Sequence, residues 1–129
     1  MTPLFKTHYS IGKSILKTEE VFNIAQDNNL KKVVIVEDSL IGFLEANKYA
    51  EEKDIDLVFG LRINSCNSIP DNKKDNDKCF HKILIFAKNG DGCKLINEIY
   101  SKAFCENDGV IDFPSLKNLW NEDNLMLAI

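Results

Sequence analysis

The sequence has no long hydrophobic run. Apolar stretches such as "VVIV" at 33–36 and "ILIFA" at 83–87 are only four and five residues long, whereas a membrane-spanning helix needs about 20 apolar residues. The first residues also lack the basic-then-apolar order of a secretory signal. We therefore expect a cytoplasmic protein that makes no membrane contact.

Cysteine pairs of the CxxC type are also missing. The four cysteines, Cys66, Cys79, Cys93 and Cys105, are 12 to 14 residues apart, so a zinc ribbon built on closely spaced pairs is not expected. Without an export signal, the cysteines are expected to be free and mostly packed thiols rather than disulfides.

An excess of positive charge is absent as well. The chain has 16 basic and 20 acidic residues and a formal net charge of -4, so no overall positive field attracts nucleic acid or an anionic membrane. Any contact with DNA would have to be local. With 129 residues, the chain is long enough for one domain but shorter than an eight-stranded α/β barrel of roughly 250 residues.

The apolar patterning predicts alternating strands and helices. Uninterrupted runs such as "KVVIVE" are typical of strands that are buried on both sides, and repeats at three and four residues are typical of amphipathic helices. The predicted strands cover 3–8, 32–37, 56–64, 79–89 and 124–129, and the predicted helices begin at Thr18, cover 42–53, follow a turn at Gly90–Gly92 and cover 113–120. This order indicates an α/β fold with about five mainly parallel strands.

The segments between these elements are polar. Residues 65–78 have the composition of a mobile surface loop. We expect a single domain over 1–129. Its last predicted strand coincides with the end of the chain and would leave an open sheet edge, so we also expect the chain to be part of a larger structure.

Five sequence segments in a fixed order carry a family resemblance. They are "THYS", "KTEEVFNIAQDNNLKKVVIVED", "GFLEANKYAEEKDIDLVFGLRIN", "HKILIFAKNGDGCKLINEIYSKAF" and "IDFPSLKNLWNEDNLMLAI". Together they resemble the opening of the PHP (polymerase and histidinol phosphatase) domain at the N-terminus of bacterial-type DNA polymerase III alpha subunits. The resemblance implies the first half of a distorted seven-stranded (β/α) barrel.

The same resemblance implies a role in DNA replication. Active family members hydrolyse phosphoesters with a metal cluster at the C-terminal ends of the strands, which agrees with the general position of active sites in α/β barrels. The alpha subunit itself is a DNA-directed DNA polymerase. Its PHP domain scaffolds the polymerase and, in relatives, docks the proofreading exonuclease, so DNA would be reached only through the parent polymerase.

The first metal-ligand pair of the family is missing from this chain. Aligned on "THYS", the His-x-His pair falls on Leu4 and Lys6, neither of which binds a metal at neutral pH. His8 would occupy a variable acidic position of the family, and a register shift of two residues would rescue it as one ligand only.

Later ligand positions are also altered. After the second strand the family carries Asp-His, where this chain has Asp38 followed by Ser39. After the third strand the family glutamate is replaced by Arg62, whose positive charge repels a divalent cation. We predict a vestigial pocket with no metal, no cofactor and no catalytic residue, in which Arg62 forms an ion pair with Glu37 or Asp38.

Two other functions remain open. One is a PHP-type phosphoesterase or 3'-5' exonuclease that uses His8, Glu37, Asp38 and Asn64 in an altered register. The other is a small α/β binding protein unrelated to replication, which would have a closed sheet without an unpaired terminal strand.

Overall fold

The structure is a computed structural model that describes residues 3–67, 69 and 81–129. The chain divides into two compact units, Met1–Leu61 and Arg62–Ile129. Most of the loop predicted at 65–78 lies outside the described residues, and the expectation of one domain stays a prediction. Within the described ranges, no helix is long and apolar enough to cross a membrane.

The first unit is built from parallel strands connected by helices. Its elements are β1 (Leu4–Phe5), α1 (Thr18–Asp27), β2 (Lys32–Glu37), α2 (Phe43–Lys53) and the first part of β3 (Asp56–Cys66). The strand β2 pairs in parallel with β1 on one side and with β3 on the other. The uninterrupted apolar run of β2 is explained by burial of both faces of the strand, since the consecutive residues Ile35 and Val36 are both buried.

The two helices of the first unit pack together on the sheet. Val21 and Phe22 of α1 and Ala46 of α2 are buried in one cluster with Ile35 and Phe59 of the strands. The helix α1 begins at Thr18, as predicted, and its N-cap is Lys17. The backbone N–H of Lys17 donates to the Glu20 carboxylate at 2.9 Å, which orders the first turn.

The second unit has a mixed pairing pattern. It contains the end of β3, followed by β4 (His81–Ala87), α3 (Gly90–Glu106), β5 (Val110–Asp112), α4 (Phe113–Leu119) and β6 (Leu125–Ala128). The strand β5 runs parallel to β3, and β6 runs antiparallel to β4. The first part of β3, Asp56–Leu61, pairs with β2, and its last residues, Asn64–Cys66, pair with β5.

The α/β class is confirmed, and the structure adds two details to the prediction of about five mainly parallel strands. The described residues form six strands, since the three-residue strand β5 is too short to give a periodic signal. The strand β6 is antiparallel to β4. The apolar residues of β6 carry no information about the direction of the strand, so the sequence could not reveal this orientation.

Three of the four cysteines lie in the described residues and are free thiols. Cys66 is buried, Cys93 is half-buried and Cys105 is exposed, so only part of the expected packing is present. Cys79 lies outside the described residues.

The segment Gly90–Gly92, predicted as a turn, is instead the first turn of α3. Asn89 caps this helix, and its side-chain oxygen accepts a hydrogen bond from the backbone N–H of Gly92 at 2.8 Å. Gly92 is required for packing, because an added Cβ would overlap the backbone carbonyl oxygen of Asn124 and lie 3.2 Å from Ala87.

Replacing Gly92 by alanine should therefore destabilise the fold. We expect Gly92→Ala to lower the free energy of unfolding by about 1–3 kcal/mol, the usual cost of forcing extra atoms into a packed region. Gly90→Ala is the matched control, since a Cβ at Gly90 meets nothing within 4 Å, and its effect should stay within about 0.5 kcal/mol. Urea denaturation measures both; equal effects would contradict this account of the packing.

Candidate functional site

The strand β2 ends in two acidic residues with different environments. Glu37 is the last strand residue and is fully buried, whereas Asp38 follows it in the loop and is half-buried. A buried carboxylate is costly unless hydrogen bonds or opposite charges compensate for the lost water. The groups that hydrogen-bond to Glu37 therefore determine which chemistry the end of β2 can support.

The loop after β1 supplies the hydrogen bonds to Glu37. One carboxylate oxygen, Oε1, accepts from the backbone N–H of Thr7 at 2.6 Å and from the Thr7 hydroxyl at 2.7 Å. The other oxygen, Oε2, accepts a hydrogen bond from the Ser10 hydroxyl. Three donors thus converge on one carboxylate, and we call this arrangement the Glu37 clamp.

The local conformation of the loop aims both hydroxyls at Glu37. The backbone N–H of Ser10 donates to the carbonyl of Thr7 at 3.0 Å, and the backbone N–H of Tyr9 donates to the Thr7 hydroxyl at 3.3 Å. This tight turn places the side chains of Thr7 and Ser10 on the same side. Both residues are almost completely buried, so the clamp is shielded from water.

Asp38 is held by lysines of the same loop. The Lys13 ammonium lies 2.7 Å from Oδ2 of Asp38, and the Lys6 ammonium lies 3.7 Å from Oδ1. Such partly exposed ion pairs contribute little to stability. They do place positive charge beside the carboxylate, which disfavours a divalent cation at the same position.

Tyr9 joins the loop after β1 to the beginning of α2. An added Cβ at Gly42 would lie 2.5 Å from the Tyr9 ring, so the ring packs directly on the glycine backbone. Burial raises the pKa of the Tyr9 phenol, and the carboxylate of Glu45 raises it further. This contact and the Lys13–Asp38 pair keep the two loops side by side.

The remaining predicted positions of the first unit do not form a ligand set. Leu4 lies in β1 with its side chain largely exposed. The His8 side chain is exposed, and its ring lies tilted against that of Tyr9 with ring centroids 4.3 Å apart. The Ser39 hydroxyl is buried and has no hydrogen-bond partner among the residues that the structure describes.

Arg62 and Asn64 lie in β3, in the second unit. The strand continues to Cys66, two residues beyond its predicted end, so neither residue lies in a loop after the strand. The predicted ion pair of Arg62 stays a prediction. The hydrogen bonds that the structure shows at Glu37 come from hydroxyl and backbone donors of the first unit.

The described residues do not fit the metal cluster that active PHP domains hold. Across residues 3–67, 69 and 81–129, no group of three or more His, Cys, Asp or Glu side chains is arranged to hold a metal ion. At the end of β2, both oxygens of Glu37 already accept hydrogen bonds, and Asp38 faces ammonium groups. The two strand-end acids are thus engaged by protein donors and cations rather than arranged as metal ligands.

Sequence reasoning identified both acids but missed their partners Thr7, Ser10 and Lys13. The signal was present in the "THYS" segment, where Thr7 and Ser10 are three residues apart, a spacing at which hydroxyl side chains often form turns. The three-residue spacing of the two hydroxyls therefore indicates a turn, in addition to matching the family motif.

Comparison with known proteins gives one family match. The model of the PHP domain family matches residues 5–127. Among solved structures, a candidate metal-dependent phosphoesterase from Bifidobacterium adolescentis is 19% identical with a TM-score of 0.47, and the alignment covers 79% of this chain and 34% of that one. The chain therefore spans about a third of that protein's length. No curated protein sequence matches the chain.

The Glu37 clamp should be a measurable source of stability. Ser10→Ala leaves one oxygen of a buried carboxylate without its donor, so we expect the free energy of unfolding to fall by about 1–3 kcal/mol. Ser101→Ala, at an exposed position of α3, is the control and should change stability by less than about 0.5 kcal/mol. Chemical denaturation compares the two, and an unchanged midpoint for Ser10→Ala would argue against the clamp.

Proposed function

The chain belongs to the PHP domain family, and on that premise we propose that it is a non-catalytic PHP portion of a replicative DNA polymerase of the bacterial polymerase III alpha type. In this proposal the chain is a partial PHP domain, the first half of the barrel, and acts as a scaffold or docking surface in DNA replication. It carries no catalytic residue and requires no cofactor.

The Glu37 clamp is the observation that carries the non-catalytic part of the proposal. A carboxylate at the C-terminal end of a barrel strand is placed where active family members keep their metal cluster. Here its oxygens accept hydrogen bonds from Thr7 and Ser10 instead. Replacing these donors by a metal would require the loop after β1 to release the carboxylate.

The other ligand positions support the same conclusion. Leu4, Lys6, Ser39 and Arg62 occupy the positions that the family resemblance assigns to imidazole and carboxylate ligands. An aliphatic group, two cations and a single hydroxyl do not make a first coordination sphere for Zn²⁺ or Mn²⁺. We therefore propose that the metal site of this chain is degenerate.

The polymerase part of the proposal rests on the order of the sequence segments that resemble alpha subunits. The partners it implies are the remainder of the polymerase chain and a proofreading exonuclease subunit. Contact with DNA would occur only through the parent polymerase, in keeping with the net charge of -4 on this chain. The parent protein would be a DNA-directed DNA polymerase.

Metal titration tests the degenerate site. In calorimetry with Mn²⁺ and Zn²⁺ we expect no saturable binding tighter than about 1 mM, the range of weak carboxylate sites. Hydrolysis of p-nitrophenyl phosphate and of single-stranded DNA should be absent with either metal.

A defined result would favour the alternative enzyme instead. If micromolar metal binding came with turnover, and His8→Ala or Asp38→Ala abolished both, the chain would be a PHP-type phosphoesterase or exonuclease with altered ligands. Ser101→Ala is the control here, because an exposed helix residue outside the pocket should leave any such activity unchanged.

The polymerase assignment has its own test. The coding sequence next to that of this chain, in the same reading frame or a neighbouring one, should encode a polymerase region with its catalytic aspartates. Co-expression of the two parts should then yield a complex that co-purifies. A genomic neighbourhood without any polymerase region would contradict the assignment and leave the PHP family membership intact.

A further inference from the structure

Three glycines of the second unit directly follow an asparagine or an aspartate. The pairs are Asn89-Gly90, Asp91-Gly92 and Asp108-Gly109. In such a pair the backbone nitrogen of the glycine can attack the side-chain carbonyl carbon of the preceding residue, because glycine has no Cβ to obstruct the approach. No other asparagine of the sequence precedes a glycine. The structure distinguishes the three pairs by the hydrogen bonds of their glycine nitrogens.

The backbone nitrogen of Gly90 differs from the other two. The N–H of Gly92 donates to Oδ1 of Asn89 at 2.8 Å, and the N–H of Gly109 donates to the carbonyl of Ala103 at 3.0 Å. The N–H of Gly90 is at the first position of α3, where a helix supplies no acceptor, and it has none among the residues that the structure describes. Asn89 and Gly90 are both exposed, and a Cβ at Gly90 would meet nothing within 4 Å. Water and hydroxide therefore reach this nitrogen.

Two hydrogen bonds hold the side chain of Asn89 as the N-cap of α3. Its Oδ1 accepts from the N–H of Gly92, which fixes the orientation of the amide, and its Nδ2 donates to Oδ1 of Asn124 at 2.8 Å. The backbone of Asn89 is extended, with ψ at -178°. Closure of a ring onto the Gly90 nitrogen requires rotation about ψ and release of both hydrogen bonds. The N-cap must therefore open before the attack.

We propose that Asn89 is a site of spontaneous deamidation and that opening of the α3 N-cap controls its rate. The Gly90 nitrogen loses its proton to hydroxide and forms a bond to Cγ of Asn89, while the Cγ–Nδ2 bond breaks and Nδ2 takes up a proton and leaves as ammonia. Water then adds to one of the two carbonyl carbons of the resulting succinimide ring and breaks the bond from that carbon to the nitrogen. The net reaction consumes one water, releases one ammonia and leaves aspartate or isoaspartate in place of Asn89.

The two products have different effects on the start of α3. Aspartate keeps a side-chain oxygen for the N–H of Gly92 and places a negative charge at the helix N-terminus, and both features favour the helix. Rotation of the Asn124 amide turns its NH₂ group toward the new carboxylate. In isoaspartate the main chain runs through the former side chain, so the acceptor of the cap is lost. The aspartate product therefore keeps the fold, whereas the isoaspartate product loosens the first turn of α3.

Incubation of the intact chain at mildly alkaline pH tests the proposal. Peptide mapping by mass spectrometry locates the conversion, and ion-exchange chromatography follows it, because each event adds one negative charge to the formal net charge of -4. We expect Asn89 to be converted before every other asparagine, at a rate that rises with the hydroxide concentration. Gly90→Ala should lower the rate roughly tenfold, since the added methyl group obstructs the attacking nitrogen. The open space at Gly90 leaves the fold of this variant intact.

Two variants of Asn124 test the control by the N-cap. Asn124→Ala removes the acceptor of the Asn89 Nδ2 group, so the rate should rise about fivefold, the factor that corresponds to one ordinary hydrogen bond. Asn124→Asp is the matched control, because its carboxylate still accepts from Nδ2, and it should not raise the rate. Circular dichroism and urea denaturation verify that both variants are folded.

Two outcomes would overturn the proposal. Conversion of Asn89 no faster than that of the other asparagines would remove the site, and equal rates in Asn124→Ala and the unchanged chain would remove the control by the cap. Asn89→Asp reproduces the aspartate product and should keep the urea midpoint of the unchanged chain, whereas the purified isoaspartate form should have a lower midpoint. The inference does not depend on the polymerase assignment, and either can fail alone.

Discussion

The arrangement of residues at the C-terminal end of β2 depends on one constraint, the burial of the Glu37 carboxylate. A charged group without water must be compensated by hydrogen bonds or by opposite charge. The compensation comes from the backbone and hydroxyl of Thr7 and from the hydroxyl of Ser10. These donors are 27 and 30 residues away in sequence, so the whole loop after β1 must close onto the end of β2.

This closure positions the other groups of the strand end. Once Thr7 and Ser10 are fixed, Lys13 reaches Asp38 and the Tyr9 ring covers the glycine at the start of α2. The loop after β1 and the beginning of α2 are therefore held side by side.

The elements with long apolar patterns could be predicted from the sequence, whereas those set by long-range contacts could not. The bounds of β2 match the prediction at both ends, because a central parallel strand is apolar throughout. The three residues of β5 carry no such pattern. Glu37 and Asp38 were recognised as strand-end acids, but the conformation of a loop determines which hydroxyls reach them. Periodicity does not reveal that conformation, and the spacing of Thr7 and Ser10 indicates a turn but not the carboxylate that the turn contacts.

The central claim is that protein donors, rather than a metal ion, hold the Glu37 carboxylate. Its most direct test is the free energy of unfolding in about 1 mM Mn²⁺ compared with EDTA, since a ligand that binds only the native state stabilises it by an amount set by its affinity. We expect equal values in the two solutions. A site whose dissociation constant is a hundredfold below the Mn²⁺ concentration would raise the free energy of unfolding by about 2.7 kcal/mol. Such an increase would contradict the account if it were lost in the Glu37→Gln variant.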